Sequence, residues 1–195
     1  CDEQLLIRQF GVYGAWMKAA ANGIDTAEVN PERGPNKSIG HTTTLPHDVT
    51  DHEEASRIFL NLADQTARRL RRQRLIAGTV QITIRTPDMR TYTRAETLES
   101  PTDDPVEIHR IACRLFDRHH RPGDPVRLLG ITLANLSPKQ ETAVQLDLFD
   151  FEKQPKREAL IRTMDELRDK FGEEAVLTAG MLLGGPSALI RNRRI

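Results

Sequence analysis

The clearest pattern in the chain is a strict alternation from Thr79 to Arg85. Val80, Ile82 and Ile84 fall on one side, and Thr79, Gln81, Thr83 and Arg85 on the other. A period of two describes a strand with one buried face. A second alternating run, Val126 to about Leu136, sets Leu129, Ile131 and Leu133 against Gly130, Thr132 and Ala134. Pro87-Asp88 marks a turn. Arg90 to Leu98 then reads as a hairpin partner, with Tyr92, Arg94 and Glu96 on one face. Upstream, the β-branched stretch from Lys37 to Thr44 predicts a further strand. Two segments carry helical spacing instead. In the first, Thr50-Asp51-His52-Glu53 fits a capping box, followed by Ala55, Phe59, Leu62, Thr66 and Leu70, with Ala77-Gly78 as its end. In the second, Asp104-Pro105-Val106-Glu107 opens a stripe of Ile108, Ile111, Ala112, Leu115 and Phe116, closed by Pro122-Gly123.

The predicted order is β-α-β-β-α-β, an α+β domain with a four-stranded sheet and two helices on one face. The other face is left open, and it carries hydroxyls, glycine and a few basic groups. Such a face is either solvated or lies along a nucleic-acid backbone, where small hydroxyl residues, amides and guanidinium groups reach phosphate oxygens.

Flanking segments extend this domain. Leu5, Leu6, Phe10, Trp16 and Met17 predict the apolar side of a short helical pair, with Gly11 and Gly14 at the bend. A pair of this size does not bury its own core. A stretch rich in Gly, Pro and polar residues then leads to Asn36. After the last strand comes Gln145-Leu146-Asp147-Leu148-Phe149, a compact apolar peptide. A helix is predicted from Pro155 to Phe171 with Leu160, Met164, Leu167 and Phe171 as one stripe, expected to pack back onto the domain or onto further parts of a longer protein, with a partner-binding helix as the alternative. The glycine-containing end from Gly184 to Ile195 finishes basic and is expected to be mobile.

Charge changes the picture locally. The chain of 195 residues has no formal net charge, so no global field draws it to a polyanion. Eight arginines nevertheless lie between Thr66 and Ala95 against one acid, Asp88. Five of them, Arg68 to Arg74, fall at the end of a predicted helix, where cations complement the dipole; the reading is dipole complement and solubility, with room for a domain contact. Two cysteines, Cys1 and Cys113, give no disulfide framework and suggest a reducing cytoplasm. No apolar run is long enough to span a membrane. The histidines do not fall in metal-ligand spacing.

Lys37-Ser38-Ile39-Gly40, Tyr92-Thr93-Arg94 with Thr97-Leu98, and Arg127-Leu128-Leu129-Gly130-Ile131 resemble the little finger of Y-family (translesion) DNA polymerases, most closely the bacterial DNA polymerase IV type. Phe10 to Asp25 resembles the end of that family's thumb, where a helix-hairpin-helix leads into a linker. The resemblance implies a C-terminal fragment with the end of the thumb at 1–24, a linker at 25–36, the little finger at 37–137 and a clamp-binding tail at 138–195. It implies a DNA grip that is indifferent to sequence. Lys37, Ser38, Gly40, His41, Tyr92 and Arg94 are expected on or near the DNA face, with Arg90 and Arg85 as additions.

Gln145, Leu146, Asp147, Leu148 and Phe149 resemble the bacterial sliding-clamp motif. Leu148 and Phe149 would each bury apolar area worth roughly 1.5–3 kcal/mol before the ordering cost. The expected partners are primer-template DNA and the sliding clamp, on a monomer without a membrane role. No catalytic or metal-binding residue is assigned in the chain. The carboxylates that hold Mg²⁺ in such polymerases come from the palm, and the parent would be the nucleotidyltransferase that uses Mg²⁺. The alternative is a non-catalytic scaffold of the same ancestry that binds DNA and clamp in a mutagenic repair complex.

Overall fold

The computed structural model describes residues 2–28, 34–139 and 154–182. Two compact units divide the chain, 1–35 and 36–195. The first holds α1 (Glu3–Phe10) and α2 (Val12–Ala21). Asp2 caps α1 by accepting from the Gln4 amide. Both bend glycines are required. Gly11 sits at φ 60°, and a Cβ on Gly14 would fall 2.3 Å from the Leu6 carbonyl carbon. Gly14 is the one buried residue of α2 and α1 has none. Trp16, Tyr13 and Val12 remain largely exposed, so the pair leaves its apolar side uncovered, as expected from its size.

The second unit is built on β1 (Ser38–Val49), α3 (His52–Arg72), β2 (Leu75–Arg85), β3 (Thr91–Thr102), α4 (Pro105–His119) and β4 (Val126–Pro138). The α+β order is the expected one. All pairings are antiparallel, in the order β1-β4-β2-β3, so β1 and β3 are the edges. Each helix therefore crosses one intervening strand. α3 links β1 to β2 across β4, and α4 links β3 to β4 across β2. One core fills the space under the helices. Phe59, Leu62, Ala63, Ala67 and Leu70 of α3 and Ile108, Ile111 and Leu115 of α4 meet Val80, Ile82, Ile84, Leu129, Ile131 and Leu133 of the sheet. Phe59 and Phe116 pack edge to face at 5.6 Å.

Three local readings are corrected. Asp51, and not Thr50, caps α3, accepting from the amides of Glu53 and Glu54. α3 ends at Arg72, and Ala77-Gly78 lies inside β2. Arg74 takes the positive φ (56°) that turns the chain, so no glycine is needed there. β1 also runs five residues past Thr44, through an irregularity between Thr44 and Val49.

α5 (Gln154–Phe171) and the single turn α6 (Ala179–Leu182) follow. α5 does pack back onto the domain, but not by its apolar stripe. Leu160, Leu167 and Phe171 stay exposed, whereas Arg168 is 2 % exposed and donates to Asp64 of α3 at 3.0 Å. The arginine cluster is likewise an internal contact more than a solvated helix end. Arg71 and Arg72 bond Asp165 and Asp169, and Arg68 bonds Asp169 and Glu173. The Arg72 hydrogen bond, followed by that of Arg68, holds the Asp169 carboxyl below its ordinary range. The 145–149 peptide and the end from Gly184 to Ile195 lie outside the described residues.

Close packing across the sheet yields a paired test. A Cβ on Gly130 would lie 2.4 Å from Thr42 Cγ2. Gly130→Ala should lower stability by about 1–3 kcal/mol, and Thr42→Ala should recover most of that loss in the double variant. Denaturant unfolding of the four proteins measures the coupling; additive losses would place the strain elsewhere.

Candidate nucleic-acid interface

Residues opposite one another across antiparallel strands share a face, so the register assigns every side chain of the sheet. Four rows run from β1 through β4 and β2 to β3 on the side away from the helices. They are Thr44–Leu128–Arg85–Thr91, Thr42–Gly130–Thr83–Thr93, Gly40–Thr132–Gln81–Ala95 and Ser38–Ala134–Thr79–Thr97. None of these positions holds a carboxylate, and Arg85 is the one cation. Nine are Ser or Thr. Gly40, Thr42, Thr44, Thr91, Thr93 and Thr97 are exposed, so this face stays open along both outer strands. Its relief is low. A Cβ on Gly40 would meet Thr132 Oγ1 at 2.7 Å, and Gly130 has no room for one. Local bonds order the surface: Arg85 Nε donates to Thr91 Oγ1 at 2.7 Å, and Asn135 Nδ2 to Thr79 Oγ1 at 2.6 Å.

The intervening rows face the helices: Thr43–Leu129–Ile84–Tyr92, His41–Ile131–Ile82–Arg94 and Ile39–Leu133–Val80–Glu96. Three expected members of the open face are therefore on its reverse. His41 is half-buried beneath α3; burial, with the neighbouring Arg69 guanidinium, pulls its imidazole below the ordinary value. Tyr92 is half-buried against α4. Its hydroxyl lies 2.9 Å from His120 Nδ1, and burial pushes its phenol up. Arg94 is exposed at the sheet edge, with its guanidinium carbon 5.5 Å from the Tyr92 ring centre. Glu96, the next residue of β3 on that side, pairs with Arg114 of α4. The physical reason is hairpin parity: Arg85 pairs with Thr91, so odd numbers in β2 share a face with odd numbers in β3.

Of the other expected residues, Ser38, Gly40 and Arg85 lie on the open face. Lys37 is exposed immediately before β1, and Arg90 is exposed in the hairpin turn, paired with Asp88 at 2.8 Å. The open face thus gathers hydroxyls and one arginine, and further cations stand around its rim. The residues missed by reading motifs were its threonines (Thr42, Thr44, Thr83, Thr91, Thr93, Thr132) and Gln81. Their signal was present in the alternation of β2 and β4.

The acids elsewhere are engaged in structure. Asp104 caps α4, Asp103 accepts from Lys139 at 2.9 Å, and Asp64 pairs with Arg168. Among the described residues no group of three or more His, Cys, Asp or Glu is arranged to hold a metal ion. No described helix is long and apolar enough to cross a membrane.

Residues 36–148 match the family described as the impB/mucB/samB family C-terminal domain. The chain is 42 % identical over 176 residues to DNA polymerase IV of Bacillus velezensis, covering 90 % of this chain and 42 % of that one. It is 41 % identical over 176 residues to DNA polymerase IV 1 of Bacillus subtilis, with 90 % and 42 % covered. To DNA polymerase IV of Moorella thermoacetica it is 38 % identical over 189 residues, with 93 % and 46 % covered. The chain spans less than half the length of these relatives.

The placement of Tyr92 separates structure from binding. Tyr92→Phe should cost about 1 kcal/mol of stability through the lost His120 hydrogen bond. Affinity for duplex DNA, measured by fluorescence anisotropy, should stay within about twofold of wild type, because the ring points away from the open face.

Proposed function

Given that the chain belongs to the impB/mucB/samB family, as a Y-family DNA polymerase C-terminal region of the DNA polymerase IV type, we propose that it grips primer-template DNA on the open sheet face and tethers the polymerase to the sliding clamp during translesion synthesis. The observation that carries this reading is the composition of that face. Among its four rows there is no carboxylate to repel phosphate, nine hydroxyl residues offer hydrogen bonds, and glycine keeps the surface low. Three inter-strand spacings span about 14 Å, comparable with a major groove about 12 Å wide. Small hydroxyls cannot discriminate base edges at that reach, so the grip is on backbone and shape. Arg85 supplies charge within the face. Lys37, Arg90 and Arg94 supply it from the rim.

Nucleotide addition with Mg²⁺ belongs, in this reading, to parts of the parent polymerase that this chain does not span. Gln145, Leu146, Asp147, Leu148 and Phe149 serve as the clamp peptide. Leu146, Leu148 and Phe149 are its apolar anchors and Gln145 its polar one, acting in the cytoplasm on a monomeric polymerase.

Two tests follow from the two contacts. Affinity for duplex should fall steeply as salt rises and vary little with sequence. Thr42→Asp with Thr83→Asp, which flank Gly130 in one row, should weaken binding by about tenfold or more at low salt, with unchanged thermal unfolding. Unaltered binding in a folded double variant would exclude the face. For the clamp, Leu148→Ala with Phe149→Ala should weaken binding to immobilised clamp by about a hundredfold and leave the circular dichroism spectrum intact. A loss of folded signal would instead make the peptide part of a core.

A further inference from the structure

We propose that the arginine face of α3, formed by Arg68, Arg71 and Arg72, is a second binding site, for the phosphate backbone of a nucleic-acid strand, and that α5 is a built-in competitor occupying it. This inference does not depend on the sheet-face reading, because α3 covers the opposite side of the sheet.

The first observation is the form of the occupant. α5 and the residue pair just beyond it present Asp165, Asp169 and Glu173 at four-residue intervals. Asp165 takes Arg71 in a two-pronged contact, from Nε at 2.7 Å and from Nη2 at 3.0 Å. Asp169 accepts from Arg68 at 2.7 Å and from Arg72 at 2.5 Å, and Glu173 accepts from Arg68. Asp165 and Asp169 are about 6 Å apart along the helix. A row of anions meeting guanidinium forks is the geometry by which arginine also takes successive phosphates.

The second observation is how α5 is held. An amphipathic helix ordinarily buries its apolar side. α5 does the reverse. Leu160 is 60 % and Phe171 64 % exposed, whereas Asp165 and Arg168 are turned to α3. Among the described residues after Gln154, Met181 of α6 is the one buried hydrophobic side chain. The dock therefore rests mainly on charge, and its exposed pair, Arg72 with Asp169, is where a competing polyanion can begin to replace it. It is also imperfectly satisfied. Arg68 Nε and Arg168 Nη2 are buried without a hydrogen-bond partner among the described residues. That cost is relieved once α5 leaves and the arginines reach solvent or phosphate. Release would uncover three arginines beside Asp64 and the Asp103 backbone carbonyl, which accepts from Arg71 Nη1 at 2.9 Å, with Arg69 at the same helix end and Arg74 just beyond it.

The test uses the full chain and a fluorescein-labelled single-stranded oligothymidylate. Asp165→Asn, Asp169→Asn and Glu173→Gln together neutralise the competitor. This triple variant should bind the strand about tenfold more tightly than wild type at moderate salt. Adding Arg71→Ala and Arg72→Ala should cancel the gain. Adding Arg110→Ala and Arg118→Ala on α4, which removes the same charge elsewhere, should preserve it, and the triple substitution made in an Arg85→Ala background should still raise affinity about tenfold over Arg85→Ala alone. The proposal is overturned by no gain, by equal losses from the two arginine pairs (net charge alone), or by a gain that vanishes with Arg85. Hydrogen exchange checks the premise. α5 amides should exchange faster in the triple variant while those of β2 and β4 stay protected; α5 amides that remain protected would mean that charge does not hold the helix, and the proposal would fail.

Discussion

The antiparallel register of β1-β4-β2-β3 is the constraint on which the other features rest. Side chains alternate along a strand with a period of two, so one row fixed on the core side fixes all the others. Val80, Ile82 and Ile84, with Leu129, Ile131 and Leu133, commit the central strands to the helices. The edge strands must then follow their neighbours, whatever their own sequence. That is why Thr42 and Thr93 are on one side, and His41 and Arg94 on the other, although neither edge strand carries a strong pattern of its own. A slip of one residue in the β2–β3 hairpin would put Tyr92 on the open face and cost its contact with His120.

Much of this was legible in the sequence, and the failures have physical causes. The central strands announced themselves because they bury one face fully. α4 did so because Asp104 and Pro105 define its start and five apolar residues define its stripe. The edge strand β3 was different. Tyr92, Glu96 and Leu98 face the helices yet are only partly buried, and Arg94 on the same side is exposed, so polar side chains are tolerated there and hydropathy does not report the parity. The hairpin did hold the answer, since a tight turn from Thr86 to Arg90 links the parity of β3 to that of β2. The end of α3 was misplaced because Gly78 looked like a stop. The chain instead turns at Arg74, an arginine at positive φ that local sequence does not flag.

The contact between α3 and α5 was legible only in outline, as a helix packing back and an arginine cluster with room for a domain contact, and not as a pairing of the two. Its partners are about a hundred residues apart, as in Arg68–Asp169 and Arg71–Asp165. Each helix taken alone has an ordinary reading: arginines complementing a C-terminal dipole, and acids on a solvated face. Only their apposition makes them buried ion pairs. The apolar stripe of α5 misled for a related reason. Hydropathy assigns a helix's buried side by transfer free energy, whereas here several charged hydrogen bonds to one helix outweigh the burial of three apolar side chains.

Charge is thus distributed in opposite senses on the two sides of the sheet. The side with helices concentrates arginines and cancels them internally with carboxylates. The four rows of the open side hold a single arginine and no carboxylate. A face of that kind attracts a phosphate backbone weakly per contact, through hydroxyls and a sparse cationic rim, and so holds a duplex without locking it in register. Weak, sequence-indifferent contact suits a grip that must let DNA advance one nucleotide at a time, but it gives poor residence by itself. A tether that raises the effective concentration of the face near its DNA compensates without strengthening any contact on the face. On the proposed reading, the clamp peptide and the open sheet are therefore complementary requirements. The flatter and less charged the grip, the more the polymerase depends on being held in place elsewhere.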